Sequence, residues 1–223
     1  MKLPAGRMTN GIAAITFVAF LLIYLAGQVD NAAIIAGFIP ARIEDGALLA
    51  GMAAVPVWLT PISCTLVHAN WLHVGFNLFM FLFCGRQVEQ VLGKGATLIL
   101  YVAGAYGATA LQWAIDPHSP NPMVGASGAI SAIIATYALL YSQQNVRRIG
   151  PLSANLVRAL WLAASWIGIQ LMIGLATSGG AGGGLGDLGQ IAIAAHIGGF
   201  LVGLALTRPL LLWRFRKKSQ PQS

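Results

Sequence analysis

The stretch that decides the reading is "NPMVGASGAISAIIATYALLY", residues 121–141. Its right half is an apolar run with the composition of a membrane helix. Its left half carries one proline, two glycines and Ser127, a hydroxyl set at the mouth of that helix. A helix over 126–141 spans about 24 Å at 1.5 Å per residue. That is short of the roughly 30 Å of hydrocarbon in a bilayer. Its outer end then lies below the membrane surface, and the preceding "DPHSPNPMVG" (116–125) must descend in non-helical form. Such backbone is tolerated only where protein covers it or where it lines a wet cavity. A submerged, water-filled site at Ser127 is therefore expected.

The rest of the chain fits a membrane setting. Of its 223 residues 57% are hydrophobic and 9% charged, against about 25% charged in soluble domains. Six apolar segments stand out, at 11–27, 66–85, 96–113, 126–141, 156–176 and 190–206. The fold class expected is all-α, a polytopic bundle of six transmembrane helices in one domain over 1–223. With the N-terminus in the cytoplasm, the inner side holds Lys2, Arg7, Arg86, Lys94, Arg147, Arg148, Arg158, Arg208, Arg214, Arg216, Lys217 and Lys218, and the outer side only Arg42. Asp30, Glu44, Asp45, Asp116 and Asp187 fall outside, and Glu89 inside. This asymmetry puts both termini, 1–10 and a basic tail from 208 to 223, in the cytoplasm. It also accounts for the net charge of +7 without nucleic acid as a partner. The tail is read as a solvated anchor that can touch anionic lipid. The first segment resembles a signal peptide in its charge and apolar run, but its length favours a retained helix.

The first outer loop, 28–63, is too long for a simple link and too apolar to be fully solvated. It is expected to be structured and partly interfacial, with Trp58 near the headgroups. The loop 177–189, "TSGGAGGGLGDLG", is rich in glycine and holds no one conformation rigidly. Cys64 and Cys84 would lie about 30 Å apart along a helix, too far for a disulfide, so free thiols are expected. Both cysteines, Met80 and the phenylalanines around it read as packing. His118, in an outer loop, reads as solvated.

Polar groups within the spans are few. His68, His73 and Asn77 lie on the second, Ser127 and Ser131 on the fourth, and His196 on the sixth. All three spans run from outside to inside, so these residues share one depth band in the outer half. Intramembrane ionisable residues are functional-site candidates by default. His73 and Asn77, four apart, share a helix face. His68, five before His73, would point about 140° away. Gly128 with Ala132, and Gly199 with Gly203, form small-residue pairs that let helices approach closely, which would bring Ser127 near His196. Serine needs a base to become a nucleophile, and histidine titrates near neutrality. The oxyanion formed would need donors, which Asn77, His73 and the Ser127 amide could supply, aided by the positive end of a helix.

With these residues in place, "GASG" (125–128), "HANWLHVGFN" (68–77) and "AHIGGFLVG" (195–203), in that arrangement on the second, fourth and sixth spans, resemble the rhomboid family of intramembrane serine proteases. "FCGRQVEQVLG" (83–93) resembles the cytoplasmic end of that family's second span. The resemblance covers about 57–206. It implies a Ser127–His196 dyad without a third acid, oxyanion roles for His73 and Asn77, and a structural role for His68. Gly125 and Gly128 flank the serine in its motif. Glu89 and Gly199 fall on positions associated with folding and packing. It further implies cleavage in or near transmembrane segments of membrane-protein substrates, with small residues at the cut, lateral access between helices, and a mobile cap over 178–189. No cofactor or metal is implied. The site would open to the external side of a bacterial inner membrane. Two departures stand out. Leu59 follows Trp58 where many bacterial members have Arg, and Ser131 stands where some place a Tyr that stacks on the catalytic His. A non-catalytic binder of membrane helices with the same fold is the second reading, and a missing dyad residue would favour it. A small transporter is the third, but no repeated half is evident.

Overall fold

The computed structural model describes residues 4–141, 147–178 and 193–216, with the backbone alone over 167–178. In chain order the helices are α1 (Arg7–Leu25), α2 (Val29–Ala36), α3 (Thr60–Ser63), α4 (Trp71–Met80), α5 (Arg86–Leu92), α6 (Lys94–Ile115), α7 (Ser127–Tyr141), α8 (Ala154–Ser178) and α9 (Ile193–Arg216). A π-helical turn, Phe81–Gly85, joins α4 to α5. There is no strand among the described residues, only isolated bridges. The all-α expectation holds. Among the described residues α1, α6 and α9 are each long and apolar enough to cross a membrane. The bent unit of Val57–Leu66 and Trp71–Leu92, turned by 92°, would make a fourth. α7, at 15 residues, is shorter, as its sequence requires.

Helix bounds differ from the apolar segments at two places. The second apolar segment does not become helical at 66. The Asn70 side chain accepts from the His73 amide at 2.8 Å, which satisfies one of the donors a helix start leaves orphaned. The helix therefore begins at Trp71, and His68 lies in the connection before it rather than on the span. The last segment does not stop at 206. Pro209 lies inside α9, which continues to Arg216. Proline removes one helical donor, but Arg214 and Arg216 in the last turn favour the negative helix end. The Arg214 guanidinium also packs over Gly93, a positive-φ residue (+82°) at the α5–α6 junction that has no room for a side chain. The basic C-terminal stretch is thus helical as far as Arg216.

At the other end of the bent unit, Glu89 caps α1. Its carboxylate accepts from the Met8 and Thr9 amides at 3.0 and 2.8 Å and from the Thr9 hydroxyl at 2.8 Å. These amides open α1, where no intrahelical acceptor exists and negative charge is favoured.

The centre of the bundle is α6, α7 and α9. From Gly128 to Ala135 almost every α7 residue is buried, as a helix enclosed on all sides must be. Small residues set the spacing. A Cβ on Gly104 would lie 2.6 Å from Ala132 Cβ, one on Gly198 2.8 Å from Leu111 Cβ, and one on Gly203 2.7 Å from Ala135 Cβ. Between apolar helices in lipid, such close backbone approach is a main source of association. Below them the Thr136 and Thr207 hydroxyls meet at 2.8 Å across α7 and α9.

The long loop 28–63 is structured, as expected. Phe38 and Met123 exchange backbone bonds of 3.0 and 2.8 Å, and the Ala41 amide donates to Ser119 O at 3.1 Å. Arg42 Nη2 donates to Val55 O at 2.9 Å, and Tyr106 Oη to Trp58 O at 2.9 Å. Trp58 itself is exposed. Both cysteines are free and buried.

Candidate active site

The position of Ser127 is set from its own backbone outward. Gly125 takes φ +109°, and a Cβ there would lie 2.6 Å from His73 Nε2, so only glycine fits on both counts. Its amide donates to Cys64 O at 2.9 Å, and the next amide, Ala126, donates to His68 Nε2 at 3.4 Å. The extended chain is thereby pinned before Ser127 opens α7. A Cβ on Gly128 would lie 2.5 Å from Ala108 Cβ, which leaves no room for a side chain.

Ser127 Oγ lies 2.7 Å from His196 Nε2. The two residues are 69 apart in sequence and meet because α7 and α9 touch at Gly128 and Gly199, where a Cβ on Gly199 would strike the Gly128 carbonyl oxygen. The Ser131 hydroxyl, one turn on, donates to Ser127 O at 2.8 Å. His196 Nδ1 is buried and has no hydrogen-bond partner among the described residues.

The His73 ring stands against Gly125, two residues before Ser127, and Asn77 follows His73 by one turn of α4. His73 Nδ1 accepts from the Ala69 amide at 3.5 Å, so Nε2, the nitrogen beside Gly125, is the one left to carry the proton. Asn77 is buried; its Nδ2 donates to His73 O at 2.9 Å, which fixes the amide and leaves its second N–H. The His68 and His73 rings meet edge-on at 4.9 Å. The expectation that His68 points elsewhere fails, because it assumed helical rotation through a segment that is not helical. Glu89 lies at the α1 end and not at the serine. His118 is exposed, 3.2 Å from Glu44. The expected cap over 178–189 lies outside the described residues, apart from the backbone of Ser178.

Three contributors escaped the sequence reading. Asn70 caps α4 and sets where His73 points, and an Asn three residues before a helix-borne residue was a legible signal. Cys64 acts through its carbonyl alone, which no side-chain pattern reveals. Trp166 of α8 donates from Nε1 to His196 O at 3.4 Å and stacks on Phe200; that contact exists only once α8 and α9 are packed.

Comparison with known proteins follows the same lines. The Rhomboid domain model matches residues 56–213. Rhomboid-like protein 11, chloroplastic, of Arabidopsis thaliana is 30% identical over 167 residues, covering 75% of this chain and 57% of that protein. The rhomboid protease GlpG of Pectobacterium atrosepticum is 26% identical over 223 residues, 100% of this chain and 68% of its own length. That of Serratia proteamaculans is 25% identical over 208 residues, 92% and 63%. The chain thus spans little more than half of the Arabidopsis protein and about two thirds of the bacterial ones. The matched stretch holds Ser127, His196 and all three motifs around them, and it takes in well over half of the sequence: this chain belongs to the rhomboid family.

Proposed function

We propose that the chain is an intramembrane serine endopeptidase that cuts peptide bonds in or near the transmembrane segments of other membrane proteins. The observation that carries this reading is the 2.7 Å contact between Ser127 Oγ and His196 Nε2 at the start of a helix buried in an apolar bundle. The names of the relatives, rhomboid proteases among them, support it.

In the proposed mechanism His196 Nε2 takes the Ser127 proton as Oγ attacks the scissile carbonyl carbon. The carbonyl oxygen becomes an oxyanion. His73 Nε2–H, the second Asn77 Nδ2–H and the Ser127 amide are its donors, and the α7 N-terminus adds its positive end. His196 then passes its proton to the leaving nitrogen, and the C–N bond breaks to leave an acyl-enzyme. Water gives a proton to His196 and attacks the ester, and the same proton returns to Ser127 as the acid product departs. No third side chain is needed to move a proton.

The same reading makes the chain one integral membrane domain crossed six times, with both termini cytoplasmic and the site open to the opposite side. α7 is about 22 Å long, so its N-terminus sits below the outer surface of a 30 Å core and water reaches Ser127 by the irregular segment before it. The decisive experiment measures cleavage of a single-pass reporter substrate in liposomes. Ser127→Ala and His196→Ala should each abolish it, and wild-type-like cleavage by either variant would sink the mechanism. A fluorophosphonate probe should label Ser127 in the native protein; no labelling would favour a non-catalytic binder.

A further inference from the structure

The general base stands in a weak place. His196 lies in the first turn of α9, and the first turn of any helix lacks intrahelical partners for its N–H groups. Such ends open more readily than helix centres. Nothing among the described residues bonds His196 Nδ1, and the Ser131 hydroxyl is directed to Ser127 O. Yet a general base must stay within hydrogen-bond reach of the proton it takes.

Besides the glycine contacts of α9 with α6 and α7, a side chain of α8, Trp166, grips this turn from outside the dyad. Its indole N–H donates to the His196 carbonyl at 3.4 Å, which has a second lone pair besides the one its own helix uses. Its ring lies over Phe200, with centroids 5.1 Å apart and planes within 10° of parallel. His196 and Phe200 are four apart and share a helix face. One side chain of α8 therefore touches α9 at two successive turns, which fixes both the height and the rotation of the turn that carries the base. We propose that Trp166 is a positioning residue for His196, holding the first turn of α9 so that Nε2 stays against Ser127 Oγ. The proposal rests on the protease reading for its catalytic consequence but not for its structural one.

The test uses the full chain in liposomes, with Trp166→Ala and Trp166→Phe. Hydrogen exchange of the amides over 193–199 reports on the turn whether or not the chain cleaves anything. It should quicken about tenfold in Trp166→Ala. Per active site titrated with a fluorophosphonate, kcat should fall roughly 10- to 100-fold, KM should stay within about twofold, and the acid limb of the pH–rate profile should move. Trp166→Phe keeps the stacking and loses only the N–H, so its kcat should fall only about threefold. Unchanged exchange and an unchanged pH profile in Trp166→Ala would overturn the proposal. So would a loss confined to the amount of titratable enzyme with kcat intact, since that is a purely structural role. Should Trp166→Ala not fold, Trp166→Phe with wild-type exchange and kcat would overturn it. A wild-type chain that neither cleaves nor labels would instead end the protease reading, and the exchange measurement would still decide whether Trp166 holds the turn.

Discussion

Gly199 faces Gly128 across α7 and α9 with no space between them: a Cβ on Gly199 would run into the Gly128 carbonyl oxygen and lie 3.3 Å from Ser131 Cβ. The contact sits one residue past Ser127 and three past His196. The spacing of the two proposed reacting groups is therefore set by backbone touching backbone.

Gly199→Ala should push α9 away from α7. Overpacking of this kind costs about 1–3 kcal/mol, and a 1 Å displacement of a catalytic group can cost about 100-fold in rate. Cleavage should thus fall by more than the loss of stability explains. Gly75→Ala is the control, because nothing lies within 4 Å of its Cβ position. It should raise helix stability by up to about 1 kcal/mol and leave the rate alone. Thermal unfolding in detergent and cleavage per titrated site separate the two effects.

Glu89 tests whether the α1 end of the bundle is independent of the proposed chemistry. The carboxylate accepts three hydrogen bonds at the start of α1. Glu89→Gln keeps the shape but removes the charge and one acceptor oxygen. Hydrogen bonds to charged groups contribute about 1.5–3 kcal/mol, so the variant should lose stability of that order. Its kcat per titrated active site should match wild type. A kcat loss in fully folded protein would show that the α1 end is coupled to the dyad.

Much of the site was legible in the sequence because the bundle uses small residues at helical spacing. Gly128 with Ala132 and Gly199 with Gly203 announce a close α7–α9 contact, and that contact alone brings Ser127 to His196. His68 was misread for a physical reason. The second apolar segment reads as one helix from 66, but Asn70 captures the His73 amide and delays the helix to Trp71, so angular reasoning at 100° per residue does not reach back to His68. Past the last apolar segment, α9 continues through Pro209 to Arg216, because its basic last turn suits the helix end and Arg214 seats on Gly93. Trp166 had no sequence signal at all, since its partner is a carbonyl on another helix.

The two proposed oxyanion donors should behave differently on replacement. Removing one such donor typically costs about 100- to 1,000-fold in kcat. Asn77→Ala should show that loss, and it also frees the His73 carbonyl that the amide had occupied. His73→Ala should lose a similar factor and, in addition, open space beside Gly125. Gly125→Ala should then regain steric room in the His73→Ala background while still suffering from its positive φ. Both single variants should keep fluorophosphonate labelling slower than wild type but measurable, because Ser127 and His196 remain. Wild-type kcat in Asn77→Ala would remove it from the oxyanion site.

Ser131 stands where some rhomboid proteins have a Tyr that stacks on the catalytic His, which invites the idea that Ser131→Tyr would improve the enzyme. The packing argues the reverse. Ser131 is 1% exposed, its Cβ faces Gly199, and its hydroxyl already returns to Ser127 O at 2.8 Å. A phenol ring there would press on the Gly199 contact and would have to part α7 from α9. Ser131→Tyr should therefore destabilise the fold by about 1–3 kcal/mol and slow cleavage. Ser131→Ala removes only a local bond to a carbonyl and should change stability by less than about 1 kcal/mol. Thermal unfolding and cleavage per titrated site check both. A faster Ser131→Tyr enzyme would mean that the α7–α9 contact yields easily, and that His196 gains from a stacking partner which Trp166, through the backbone, does not replace.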